Sequence, residues 1–289
     1  MLRSKNTNSS CPTMTHLKAK TQPQPCLVKN VKAVLFDLFD TLVILEDEDE
    51  WHDQCLTKMY GYLSDNGLKS AFAEFRQAYF KAIDQIDEET ARSLKEPHFK
   101  KYLVRTLAQI DLDASENDAF VSGAVREFCR EFKRHVKLDP EAIKVLQYIS
   151  AKYKTGLISN LTFSESAREL LVEYELSDFF DTIIVSGDVN LRKPNPEIFK
   201  LALKDLGVDP SQAIFVGDTL ETDISGSRKA GMVPIHIQRK THRNSSIKSY
   251  RTITSLEQVL RILNEQAEYQ PNDQISVLKE SDANVLCRL

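Results

Sequence analysis

The chain has 289 residues, of which 42% are apolar and 28% charged, and a formal charge of −4. That balance leaves no electrostatic footprint for a nucleic-acid partner, and no apolar run approaches the roughly 20 residues that cross a bilayer. The length allows one large α/β domain with a smaller inserted or appended one.

Residues 1–30 are rich in Ser, Thr, Asn, Gln, Pro and Lys and hold no acidic residue, a composition that predicts a disordered tail. A transit peptide is the rival reading, since such segments are also acidic-poor. Against it, Arg3 is the single arginine there and no amphipathic period is visible. The five cysteines (Cys11, Cys26, Cys55, Cys129, Cys287) are scattered and form no CxxC pair. They suggest neither a zinc site nor a disulfide framework, and they suit a reducing, cytoplasmic setting.

Val31 to Phe36 is a nearly continuous apolar run that halts at Asp37, as a buried parallel strand would. The texture then turns helical. Phe72, Phe75, Tyr79, Ile83 and Ile86 recur at spacings of three and four, as do Phe99, Leu103, Val104 and Leu107. Phe120, Val121, Ala124, Val125, Phe128 and Phe132 repeat the pattern. An all-helical insert over 46–136, with about four helices, is expected. The acidic run Glu46 to Glu50 reads as a solvated helix start that complements the helix dipole.

From Asp139 the chain alternates helix and strand. Asp139-Pro140-Glu141 predicts a helix start with an N-cap and a proline in the first turn. Strands are expected at Thr155–Ser159, Thr182–Ser186, Ala213–Gly217 and Val233–Ile237. Repeated β-α units of this kind predict an α/β fold with a doubly wound, Rossmann-like parallel sheet. Its core would comprise 31–45 and 137–265, and the polar stretch 266–289 would be a flexible tail.

Ligands of such sheets bind at the carboxyl ends of the strands. Every expected strand end except the last delivers a reactive or charged group: Asp37-Leu38-Phe39-Asp40-Thr41, then Ser159-Asn160, then Arg192-Lys193-Pro194, then Gly217-Asp218 through Asp223. A carboxylate at the end of a buried strand can be aimed at a phosphorus atom and form an aspartyl-phosphate. Asp218 and Asp223 are the hard oxygen donors that Mg²⁺ prefers. Backbone N–H groups beside Asn160, leading into a helix from about Thr162, can hold a phosphate. The plainer readings are loop capping for Thr41 and Ser159, a surface charge for Lys193, and a dipole-stabilised carboxylate for Glu221.

These four segments, in this order across residues 31–265, resemble the four motifs of the haloacid dehalogenase-like (HAD) hydrolase superfamily. The helical insert falls where that superfamily places its helical C1 cap (subfamily I). The resemblance implies that Asp37 is the nucleophile, that Thr41 and Ser159 hydrogen-bond phosphoryl oxygens, and that Lys193 offsets their charge. It implies a Mg²⁺ site of Asp37, Asp218 and the main-chain carbonyl of Phe39, with Asp223 orienting the ion. The function implied is a Mg²⁺-dependent phosphatase for a small phosphorylated metabolite, with neither nucleic acid nor membrane as partner.

One position departs from that pattern. HAD phosphatases usually carry a second aspartate two residues after the nucleophile, as the acid and base for the leaving group and the water. Here that position is Phe39. In an extended segment Asp37, Phe39 and Thr41 would share a face, with Asp40 turned away; a bent loop would leave Asp40 as a possible acid/base. An acyl phosphate or phosphoanhydride substrate, whose leaving group needs little protonation, is one explanation; a 2-haloacid dehalogenase, whose halide leaves unprotonated, is an alternative, and a weakly active or non-catalytic phospho-ligand binder is another. Asp218 and Asp223 weigh for the phosphatase, because they would crowd negative charge around Asp37 to no purpose without a cation. Arg76, Arg92, Lys100 and Arg105 of the insert are candidate contacts for an anionic substrate, and the sequence does not choose among them.

Overall fold

The computed structural model describes residues 30–46, 50–239, 247, 249 and 251–268. Residues 1–29 and 269–289, and the middle of the acidic run, lie outside the described residues. In chain order the strands are β1 (Ala33–Phe36), β2 (Val43–Leu45), β3 (Val136–Leu138), β4 (Lys154–Ser159), β5 (Thr182–Val185), β6 (Ala213–Gly217), β7 (Val233–Ile237) and β8 (Arg251–Ile253). The helices are α1 (Trp51–Asp65), α2 (Phe72–Thr90), α3 (Phe99–Ala108), α4 (Ala119–Lys133), α5 (Ala142–Ser150), α6 (Ser164–Glu173), α7 (Ser186–Val189), α8 (Pro196–Leu206), α9 (Ser225–Lys229) and α10 (Glu257–Glu268).

Six strands form one parallel sheet in the order β5-β4-β1-β6-β7-β8. β1 lies between β4 and β6, with Phe36 opposite Leu157 on one side and Val216 on the other. Its four residues are fully buried, which is why the sequence there is a continuous apolar run and not an alternating one. The period of two persists in three dimensions. Val34 and Phe36 join one hydrophobic cluster with Val145 and Leu146 of α5. Ala33 and Leu35 join another with Ile198 and Phe199 of α8. Helices on both faces of a parallel sheet make this the expected doubly wound, Rossmann-like α/β fold.

α1 to α4 lie between β2 and β3, with α1 packed along α4 and α2 along α3. β2 and β3 pair antiparallel where the chain leaves the sheet and where it returns. A seam of rings links these helices to the sheet. Phe132 of α4 sits 5.6 Å from Phe39, 5.2 Å from Trp51 and 4.9 Å from Phe163, centroid to centroid. Phe39 therefore spends its side chain on packing against the helical insert.

The helix expected from Pro140 begins two residues later, at Ala142. Asp139 caps a turn instead: its Oδ1 accepts the Glu141 N–H at 2.8 Å, while its Oδ2 lies 2.6 Å from Arg239. α10 continues to Glu268, into the stretch expected to be loose from 266 onward. Among the described residues no helix is long and apolar enough to cross a membrane.

Candidate active site

Three strand ends and one loop converge beyond the carboxyl edge of the sheet. The Asp37 N–H donates to Val216 O at 2.9 Å, so sheet pairing runs one residue past β1 and fixes the carboxylate against β6. β6 ends in Gly217, and a π-helical turn over Leu220–Ile224 brings Asp223 back beside it. A Cβ on Gly217 would lie 2.6 Å from Asp223 Cβ. Only glycine permits that approach. The ligand atoms of Asp37, Asp218 and Asp223 lie within 4.8 Å of one another.

Lys193 reaches the cluster from the loop before α8. Asn160, after β4, brackets its backbone: Asn160 Nδ2 donates to Lys193 O at 3.0 Å, and Lys193 N donates to Asn160 Oδ1 at 2.9 Å. The Lys193–Pro194 peptide is cis. Asn195 then caps α8 by accepting the Glu197 N–H, with Pro196 in the first turn. The buried Lys193 Nζ lies 2.5 Å from Asp37 Oδ1 and 2.7 Å from Asp223 Oδ1. Asp223 Oδ2 also accepts the Thr219 N–H at 3.0 Å. Asp223 thus has the ammonium beside one oxygen and a hydrogen-bond donor on the other, whereas among the described residues Asp218 accepts only from the Thr219 hydroxyl, at 3.2 Å.

Three carboxylates share one ammonium. Burial, offset in part by Lys193 and reinforced by Asp223, pushes the Asp37 carboxyl up to about 7. Burial, then the charges of Asp37, Asp223 and Asp40, pushes Asp218 up to about 8. Burial opposes the charge on Lys193, but Asp223 and Asp37 outweigh it and hold the ammonium above its ordinary range. The donors are hard oxygens, the surplus charge is negative, and Asp37 and Asp218 have oxygens to spare. That donor set fits a divalent cation. The Thr41 and Ser159 hydroxyls are buried without a hydrogen-bond partner among the described residues, an arrangement that costs free energy unless a ligand completes it.

Asp40 departs from the extended geometry expected of its segment. Its φ is +52°, so the alternation of faces ends there. Its Oδ1 accepts the Leu45 N–H at 3.3 Å, and its charge is felt at Asp218. The Asn160 side chain is engaged with the Lys193 main chain, and the Leu161 N–H beside it donates to the Ser186 hydroxyl at 2.8 Å. Arg76 and Arg105 are tied to Asp53 and Glu89 in ion pairs within the helical insert.

Two residues bonded to the main chain of Asp218, Asp40 and Thr41 escaped the sequence reading. His236 is buried in β7, and its Nε2 donates to Asp218 O at 2.9 Å. Arg239 follows the same strand; it donates to Asp40 O at 3.2 Å and Thr41 O at 2.8 Å and is anchored on Asp139. The end of β7 therefore also delivers a charged group. Its position two residues past an apolar strand was the available signal.

The sequence model of a family described as haloacid dehalogenase-like hydrolase matches residues 31–231. A glyceraldehyde 3-phosphate phosphatase of Pyrococcus furiosus is 29% identical over 241 residues, covering 82% of this chain and 94% of its own length. The Pyrococcus abyssi protein of the same name is 31% identical over 203 residues, covering 70% and 79%. The crystal structure of a 2-haloacid dehalogenase from Pseudomonas syringae superposes with a TM-score of 0.64 at 22% identity, covering 81% of this chain and 99% of that one. At that identity the likeness speaks to the fold alone.

Proposed function

The chain belongs to the haloacid dehalogenase-like hydrolase family, and we propose that it is a Mg²⁺-dependent phosphatase of a small phosphorylated metabolite, working through an aspartyl-phosphate on Asp37. The hydrolase class follows from the family, and its similarity to relatives named as phosphatases makes it a phosphatase that acts on a phosphorylated metabolite. The ion and the chemistry are our reading. One observation carries it: Asp37, Asp218 and Asp223 cluster within 4.8 Å around a single buried lysine. A halide-releasing enzyme has no use for that surplus of negative charge.

In this reading an Asp37 oxygen attacks the phosphorus in line, and the P–O bond to the leaving group breaks. The electron pair stays on the leaving oxygen, which takes a proton from Asp40. Water then gives a proton to Asp40 and attacks the phosphorus, which releases inorganic phosphate and restores the Asp37 carboxylate. Lys193 holds Asp37 oriented and balances phosphoryl charge, while Thr41, Ser159 and the backbone beside Asn160 hold phosphoryl oxygens. Asp37, Asp218 and the Phe39 carbonyl, with Asp223 orienting them, would hold Mg²⁺, which would neutralise phosphoryl charge. Phe39 cannot move a proton, and the bent backbone at Asp40 supports the neighbour in that role. The helices within 46–136 act as the cap that excludes water from a core of 31–45 and 137–265. Cys55 and Cys129 are free and buried, in keeping with a cytoplasmic setting.

Release of phosphate from p-nitrophenyl phosphate and acetyl phosphate tests the reading. Activity should need Mg²⁺ and vanish in Asp37→Asn. Turnover of L-2-chloropropionate with metal chelated would overturn it in favour of a dehalogenase. Phosphate-ligand binding without turnover of either class would favour a non-catalytic role.

A further inference from the structure

Between the helical insert and the sheet lies a cleft of about 510 Å³ whose wall includes Glu96 and Arg192 and continues to Lys193. The segment that leads into α3 roofs it. Leu94 O accepts the Arg192 N–H at 2.9 Å, the Phe99 N–H donates to Thr162 O at 3.0 Å, and His98 lies 3.0 Å from Glu165. Glu96 is 5% exposed. The nearby Ser186 hydroxyl, whose oxygen accepts the Leu161 N–H at 2.8 Å, favours its charged form while burial opposes it. The Arg192 charge acts on Glu96, and its guanidinium is 3.8 Å from Asp87. Neither Glu96 nor Arg192 has a part in the phosphoryl chemistry above.

A buried carboxyl and a guanidinium that line one cleft have hydrogen-bonding capacity left over. We propose that Glu96 and Arg192 form the subsite for the leaving group, and that this group is a short, uncharged polyhydroxy carbon chain. The inference rests on the phosphatase reading of the adjoining site. A hydroxyl both donates and accepts, so one –CHOH– unit satisfies the carboxylate and the guanidinium together. A carboxylate or second phosphate is disfavoured, because Glu96 and Asp87 already balance Arg192. A nucleobase is disfavoured too: among the described residues lining the cleft there is no aromatic ring for it to stack on, and the apolar ones are Leu94, Leu161 and Pro194.

The test measures kcat/KM on erythrose 4-phosphate, 3-phosphoglycerate and acetyl phosphate for the wild type, Glu96→Leu and Arg192→Leu. The wild type should prefer erythrose 4-phosphate to 3-phosphoglycerate by about tenfold or more. In each variant the ratio of erythrose 4-phosphate to acetyl phosphate should fall by about tenfold or more, chiefly through KM, as a site that loses a hydrogen bond to its substrate would show. A ratio is insensitive to the fraction of enzyme that folds, so a destabilised variant still reports. An unchanged ratio in both variants, or a wild-type preference for 3-phosphoglycerate, would overturn the subsite while leaving the phosphatase intact. Failure to hydrolyse all three compounds would overturn both.

Discussion

Lys193 Nζ lies 2.5 Å from Asp37 Oδ1, with both side chains almost wholly out of water. A buried ion pair is costly to break from one side, because the remaining charge is stranded. In Lys193→Met the nucleophile loses both its orientation and its counter-charge, and kcat/KM should fall about 10²–10³-fold. Lys193→Arg should not restore it, since the planar fork cannot replace a compact ammonium between two carboxylates. Activity within twofold of wild type in either variant would remove Lys193 from the mechanism.

The raised carboxyls of Asp37 and Asp218 make a prediction about pH. Both are held above their unfolded values, to about 7 and about 8, chiefly by burial. The metal-free native state therefore keeps protons that the unfolded chain has already released. This contribution to stability is fully present below the ordinary carboxyl range and is lost as pH rises through about 7 to 8. Lys193, raised still further, stays charged across that window and does not alter the slope. A cation binds the deprotonated carboxylates and offsets the loss. The melting temperature of the chelated protein should fall from pH 6 to pH 9, while the increment produced by Mg²⁺ grows. An increment independent of pH would contradict this account of the cluster.

What the sequence disclosed and what it hid divide along a physical line. Strand ends were readable because a buried parallel strand is an apolar run with an abrupt polar stop, so Asp37, Ser159 and Asp218 announced themselves. Lys193 was found through its proline-flanked context. Arg239 was passed over because its partners are main-chain carbonyls of Asp40 and Thr41, some 200 residues away in sequence, and no local pattern encodes such a bond. Glu96 was missed for a related reason: the groups that act on it, Arg192 and Ser186 among them, come from distant parts of the chain. The bend at Asp40 lay beyond an argument from strand alternation, which holds only while the backbone stays extended.

That bend carries a prediction about leaving groups. If Asp40 supplies the proton that Phe39 cannot, Asp40→Asn should slow alkyl phosphate hydrolysis by about 10²–10⁴-fold, the usual worth of general acid help. Acetyl phosphate, whose leaving group needs little protonation, should lose far less. Phe39→Asp should recover part of the lost rate when combined with Asp40→Asn. Equal losses on both substrates in Asp40→Asn would instead make Asp40 a structural residue of the turn.

Arg239 ties the two passes of chain that connect the helical insert to the sheet. Its guanidinium holds the Asp40 and Thr41 carbonyls on the outgoing pass and lies 2.6 Å from Asp139 Oδ2 on the returning one. The passes are also joined directly, through the Asp139 N–H to Leu42 O at 3.0 Å. Side-chain fork and backbone bond together fix the loop that bears Thr41 and Asp40 relative to Asp37. Hydrogen bonds to a charged group contribute about 1.5–3 kcal/mol, so Arg239→Gln should lower stability by about that much. Because Asp139 is the shared partner, Arg239→Gln and Asp139→Asn should be non-additive, with a coupling of about 0.5–3 kcal/mol in a double-mutant cycle of denaturant melts. The loss in kcat should be similar on acetyl phosphate and on alkyl phosphates, since the loop is displaced whatever the leaving group. Additive stabilities, or a loss confined to alkyl phosphates, would count against a clamp and make Arg239 a partner of Asp40 alone.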